Sequence, residues 1–140
     1  MVLPDLVWLF EQAALATYGT DLFIGSKAVL PKTYPGPICT LVETGGLNPA
    51  GTHNRTDVPA YVRPSVQVMW RGRIYDDARA KSQASYELIY PVRNRFVNGT
   101  WWVSVLMKQE PFDLGPDDVG RPRIVFNVDI FKRLSPATSV

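Results

Sequence analysis

The chain has 140 residues, 46% of them hydrophobic and 20% charged, and a formal net charge of +2. That length suits one domain around one core, and so small a charge bias gives no argument by itself for a nucleic-acid or membrane partner. A single cysteine, Cys39, excludes an intramolecular disulfide and fits a reducing compartment.

The opening MVLPDLVWLFEQAALATYGT is apolar, but it lacks a basic flank and is interrupted by Asp5 and Glu11. It falls short of the roughly 18 apolar residues that spanning needs, so no targeting or membrane segment is expected. It reads instead as an amphipathic helix over residues 4–18. Pro4 suits a first turn and Asp5 complements the helix dipole there. Leu6, Leu9, Phe10, Ala13, Ala14 and Ala16 recur at helical spacing, and Gly19 is the expected stop. Trp8 falls off that stripe and is expected to face a neighbouring molecule.

Leu22–Gly25 reads as a short strand, followed by a connection through Pro31, Pro35, Gly36 and Pro37. Ile38–Glu43 alternates as a second strand. Residues 44–63 hold Gly45, Gly46, Pro49, Gly51 and Pro59 and read as a long loop, a kind of segment that is usually functional or disordered. Ser65–Trp70 is a third strand that ends at Arg71-Gly72 and turns at once into a helix from about Ile74. Asp76 and Asp77 lie in its first turn, Asp77 and Lys81 are spaced as an ion pair, and Pro91 ends it. Its expected buried stripe is Ile74, Ala78, Ser85, Leu88 and Ile89, with Ala84 helping a close approach to a sheet.

Asn98-Gly99 signals a turn into a strand over Thr100–Gln109. Simple alternation puts Trp101, Val103, Val105 and Met107 on one face and Trp102, Ser104, Leu106 and Lys108 on the other. Pro111–Pro122 reads as a loop joining that strand to Arg123–Phe131, as an antiparallel hairpin with a long tip. Residues 135–140 read as a frayed tail. The expected fold is α+β: one domain over 1–140, with a mainly antiparallel sheet of about 4–5 strands packed against an N-terminal and a central helix, and long loops at 44–63 and 110–122.

Chemistry is sparsely supplied. His53 is the only histidine and sits in the most irregular segment, without an acid or nucleophile that sequence places beside it. Cys39 lies mid-strand, where it reads as a small buried hydrophobe. Asp113, Asp117 and Asp118 do not match the spacing of a calcium loop, and the Cys and His pairs of a zinc site are missing. Gly72 stands alone, without a phosphate-binding fingerprint, and Asp76 and Asp77 would repel an anion at that helix start. The sequons Asn54-Arg55-Thr56 and Asn98-Gly99-Thr100 read as chance matches. Neither a catalytic residue, a cofactor nor a metal is expected. Four tryptophans and six tyrosines interleaved with arginines leave a single-stranded nucleic-acid surface open as an alternative. Because Trp101 and Trp102 fall on opposite faces, one of them needs a partner beyond the helices.

The order of elements, with Ile38-Cys39-Thr40-Leu41-Val42-Glu43-Thr44-Gly45-Gly46 and then Val66-Gln67-Val68-Met69-Trp70-Arg71-Gly72 before a helix led by Tyr75, resembles the tail terminator and minor-capsid-type proteins of long-tailed, siphovirus-type bacteriophages. The resemblance spans residues 4–132 and implies a virion protein without enzymatic activity. Such a protein forms a ring, hexameric in that family, that caps the tail tube, ends its polymerisation and joins it to the head-completion proteins. Genomic DNA passes through the lumen without sequence specificity, and assembly takes place in the host cytoplasm. Another neck or tail-completion component would look the same in sequence. The expected interface residues are Trp8, Gly45, Gly46, His53, Arg55, Arg71, Arg73, Trp102, Asp113, Asp117 and Asp118. They lie mainly in the loops Gly45–Arg63 and Pro111–Arg121, and Arg71 and Arg73 suit ion pairs between subunits.

Overall fold

The first helix, α1 (Val2–Gln12), buries Val2, Leu3, Leu6, Leu9 and Phe10 along one stripe. It ends earlier than Gly19, because Ala14 adopts a left-handed conformation (φ 55°). There Ala14 N–H donates to Glu11 O and Leu15 N–H to Phe10 O, at 3.0 and 2.9 Å. These are the paired bonds of a Schellman cap built without glycine. Ala13 and Ala14 are therefore exposed, and only Ala16 of the expected alanines is buried. In the computed structural model, residues 2–25, 36–50 and 61–133 are described, without the side chains of 46–50.

Seven strands form one sheet: β1 (Leu22–Ile24), β2 (Ile38–Ala50), β3 (Tyr61–Arg71), β4 (Arg95–Val97), β5 (Thr100–Met107), β6 (Phe112–Pro116) and β7 (Pro122–Arg133), with α2 (Tyr75–Ile89) between β3 and β4. The order is β1-β2-β3-β7-β5-β4, and β6 shares the edge of β7 with β5. The α+β class holds, but the sheet is larger than expected and mixed, since β1 runs parallel to β2. The expected loop after Glu43 is in part strand. β2 continues through Gly45 (φ +97°) with register shifts between Glu43 and Gly46 and between Leu47 and Ala50, and β3 starts at Tyr61. A bulge accommodates residues that break alternation, which is why the pattern reads as a loop. Likewise the 110–122 loop contains β6, bound to β7 with its own register shift at Asp113–Gly115. The predicted turn at Asn98-Gly99 joins β4 to β5, both residues having positive φ (54° and 79°), as a two-residue primed hairpin requires.

Both helices lie on one face of the sheet and meet at Trp70. Phe10 of α1 stacks on that indole at 6.5 Å, and Trp70 Nε1 donates to Ser85 Oγ of α2 at 3.0 Å. Cys39, Leu41, Val66, Val68, Phe126, Val128 and Ile130 complete this core. Each large side chain so buried contributes about 1.5–3 kcal/mol, so the Phe10–Trp70 contact is a main fastening of α1. The stripe of α2 is Ala78, Ser82, Ser85 and Ile89; Ile74, at 55% exposure, and Ala84 face outward, and Leu88 is half-buried against the core. Small residues let α2 lie close to the sheet. Lys81 turns toward α1 and the core, donating to Leu15 O at 3.0 Å and lying over the Trp70 ring.

The junction between β3 and α2 is tight. A Cβ on Gly72 would stand 2.7 Å from Ala78 N and 2.9 Å from Ile74 O. Glycine is needed there for close approach of backbone, and not for phosphate.

Candidate functional site

The sheet face turned away from the helices holds a cluster of rings and arginines. Strand pairing places Tyr61 opposite Arg133, and Trp101 opposite Phe96. Arg133 lies over the Trp101 ring at 5.9 Å, so Tyr61, Arg133, Trp101 and Phe96 make one row across β3, β7, β5 and β4. Arg63 and Phe131 form the next row, with the guanidinium 5.3 Å from the ring centroid. Tyr61 packs on Phe131 at 5.2 Å, and Phe96 meets Trp101 edge-on at 4.9 Å. Phe96 remains 57% exposed, and Leu106 on the same face 64% exposed. Half-buried rings, held by their neighbours and topped by arginines, form an ordered amphipathic surface rather than scattered apolar residues.

Sequence alternation assigned the two tryptophans incompletely. A register shift between Trp102 and Ser104 inserts a residue into β5. Trp102 therefore shares the core face with Val105 and Met107, while Trp101 shares the open face with Ser104 and Leu106. A one-residue slip reverses every side chain beyond it. The expected interface residue Trp102 is fully buried, and its Nε1 donates to Asp5 Oδ2 at 3.2 Å. Asp5 also pairs with Lys132 Nζ at 3.0 Å and accepts from Asn98 Nδ2 at 3.3 Å. The carboxylate expected at the α1 dipole is thus the centre of a buried polar clasp between α1, β5 and β7.

A third cluster lies at the β3 end of the sheet. Arg71 pairs with Asp117 of its own chain at 3.7 Å and faces Arg123 across β3 and β7. Burial lowers the pKa of Arg71 from its ordinary value; Asp117 opposes that, and Arg123 and Arg121 reinforce it. Asp117 Oδ1 accepts from Val119 N–H and Arg121 N–H, at 3.0 and 2.9 Å, and Asp113 Oδ1 accepts from Gly115 N–H at 2.8 Å. These aspartates shape the β6–β7 turn. Among the described residues no group of three or more potential ligands is placed to hold a metal ion.

Of the other expected interface residues, Trp8 is half-buried and packs against the chain's own core. Gly45 and Gly46 lie in the irregular part of β2, and Arg73 and Asp118 are exposed. His53 and Arg55, most of the 44–63 segment beyond Ala50 and the 135–140 tail lie outside the described residues. Among the described residues, the structure therefore does not bring the expected ones to one place. The open-face residues were legible in principle: Tyr61 and Arg63, like Phe131 and Arg133, are spaced by two. Their strands had been bounded too short to include Tyr61, Arg63 and Arg133.

Burial, and secondarily the Asp21 carboxylate, pushes the Cys39 thiol well above its ordinary pKa, as suits a structural cysteine. No helix among the described residues is long and apolar enough to cross a membrane.

No family model and no curated protein matches the chain. Among solved structures, one whose name says nothing of function aligns over 95% of this chain and 97% of its own, with 16% identity and a TM-score of 0.49. A likeness at that level says nothing of activity or partners.

Proposed function

We propose that the chain is a structural virion protein of the phage head–tail junction, a subunit of a ring that caps the tail tube, ends its polymerisation and meets the head-completion proteins. The observation that carries this reading is the open sheet face with Tyr61, Phe96, Trp101 and Phe131 among Arg63 and Arg133. Aromatic residues and arginine are the types enriched where proteins associate, and a surface of this kind favours assembly with other protein. β2 adds to it. Among the described residues no strand pairs with its outer edge beyond Leu41, although the strand runs on to Ala50. Such an edge suits pairing between subunits or with the tube. In this reading the protein resides in the virion after assembly in the host cytoplasm, and DNA in the lumen meets it without sequence recognition.

The test is tail-tube polymerisation in the presence of the purified protein. Tubes become shorter and uniform in length as protein is added, and Trp101→Asp loses the effect while remaining folded. Tubes of unchanged length at saturating protein contradict the proposal. A different neck or tail-completion role leaves tube length unchanged but still places the protein in purified virions.

One observation favours a second reading. Rings and guanidinium groups alternating on an open sheet are also a stacking platform for single-stranded nucleic acid. In that case binding falls steeply with salt and quenches Trp101, whereas a ring subunit binds single strands weakly.

A further inference from the structure

A ring closed by one repeated contact uses two different surfaces of each subunit, one received by the other. The open sheet face supplies one. The helix side holds a groove of about 440 Å³, lined by Tyr86, Glu87, Tyr90, Pro91 and Glu110. We propose that this groove is the acceptor half of the subunit contact and that it receives Arg63 and Arg133 of a second copy of the chain. The inference rests on the ring reading and names the surfaces that would build it.

The groove has the chemistry of a guanidinium receptor. Tyr86 and Tyr90 stack at 5.8 Å, and Tyr86 is fixed from below by an edge contact to Phe126 at 5.6 Å. Two anchored ring faces thus stand beside two exposed carboxylates, Glu87 and Glu110. Glu87 accepts from Gln83 Nε2 at 3.2 Å and keeps acceptor capacity; carboxylate and ring face together are the usual partners of arginine.

The donor surface has the complementary need. Among the described residues, Arg63 and Arg133 contact rings and have no carboxylate partner. Asp129, which faces the same side, is already engaged by Lys108 at 3.4 Å and by the Ser65 hydroxyl. Because row and groove lie on opposite sides of the sheet, one copy does not join its own two surfaces. Symmetric alternatives are disfavoured by charge. Row against row opposes arginines to arginines, and groove against groove opposes carboxylates to carboxylates. The remaining arrangement is head-to-tail, which closes into a ring or extends as a filament.

Sedimentation velocity on two charge-reversed variants tests this at a concentration where the wild type assembles. One is Glu87→Arg with Glu110→Arg; the other is Arg63→Glu with Arg133→Glu. Each alone weakens self-association by at least about a hundredfold while keeping the wild-type circular dichroism and melting behaviour. Their equimolar mixture assembles again, because reversed groove meets reversed row and native row meets native groove. Wild-type assembly by the groove variant alone, or a mixture that stays monomeric, overturns the inference and leaves the ring reading standing. A wild type that stays monomeric both alone and with tail tubes overturns both.

Discussion

At the scale of single residues, the two neighbouring tryptophans show what a sequence conveys and what it withholds. That Trp101 and Trp102 point to opposite faces follows from strand geometry alone. Which of them is buried depends on an inserted residue in β5 that no residue type announces. The burial of Cys39 was legible, since a small apolar residue amid Ile38, Thr40 and Leu41 fits a covered strand, and it has a consequence for stability. The folded state keeps a thiol proton that the unfolded chain releases above about pH 8.5. The stabilisation is therefore complete below that pH and is lost as pH rises toward the raised folded value, at up to about 1.4 kcal/mol per unit. In urea titrations between about pH 8 and pH 10 the wild type loses more stability than Cys39→Ala; parallel curves would show that the thiol makes no contribution.

At the scale of elements, α2 and the middles of β3, β5 and β7 were readable because their periodicity is strong. The short strand β1 was legible at Leu22–Gly25, whereas β4 and β6 were not, since three to five residues leave little alternation to detect. The attachment of α1 to the sheet has two parts, one legible and one not. The apolar stripe with Phe10 on Trp70 follows from helical spacing. The clasp of Asp5 with Lys132, Trp102 and Asn98 joins positions as much as 127 residues apart and leaves no local signal. Lys132 and Asp5 are 6% and 4% exposed, so each needs the other. Lys132→Met leaves a buried carboxylate without its cation and costs about 3–5 kcal/mol by urea denaturation, with α1 amides exchanging faster. Adding Asp5→Asn recovers part of that loss, because it removes the uncompensated charge, although the amide oxygen replaces only one of the two carboxylate oxygens that accept from Trp102 and Asn98. A loss below about 1 kcal/mol for Lys132→Met would mean that the clasp does not fasten the helix.

At the scale of the whole molecule, the fold is asymmetric among the described residues: two helices cover one side of a seven-stranded sheet, and the other side carries rings and arginines at one end while Ile38, Thr40 and Val125 on it are buried. The class of fold was legible in the order of helices and strands. The candidate surface was not, because it is formed by rows that cross four strands, and no stretch of sequence contains a row. The expected interface loops are strand up to Ala50, from Tyr61 and over Phe112–Pro116, and residues 51–60 lie outside the described residues; the contact surface proposed above lies on the sheet face. The proposed role of this face is assembly into a ring on the tail tube. Electron microscopy of the purified protein, alone and after mixing with tail tubes, tests it most directly. The expected result is rings of uniform diameter seated at one end of each tube, with a lumen continuous with that of the tube. Tubes with bare ends beside protein that remains monomeric at high concentration would contradict it.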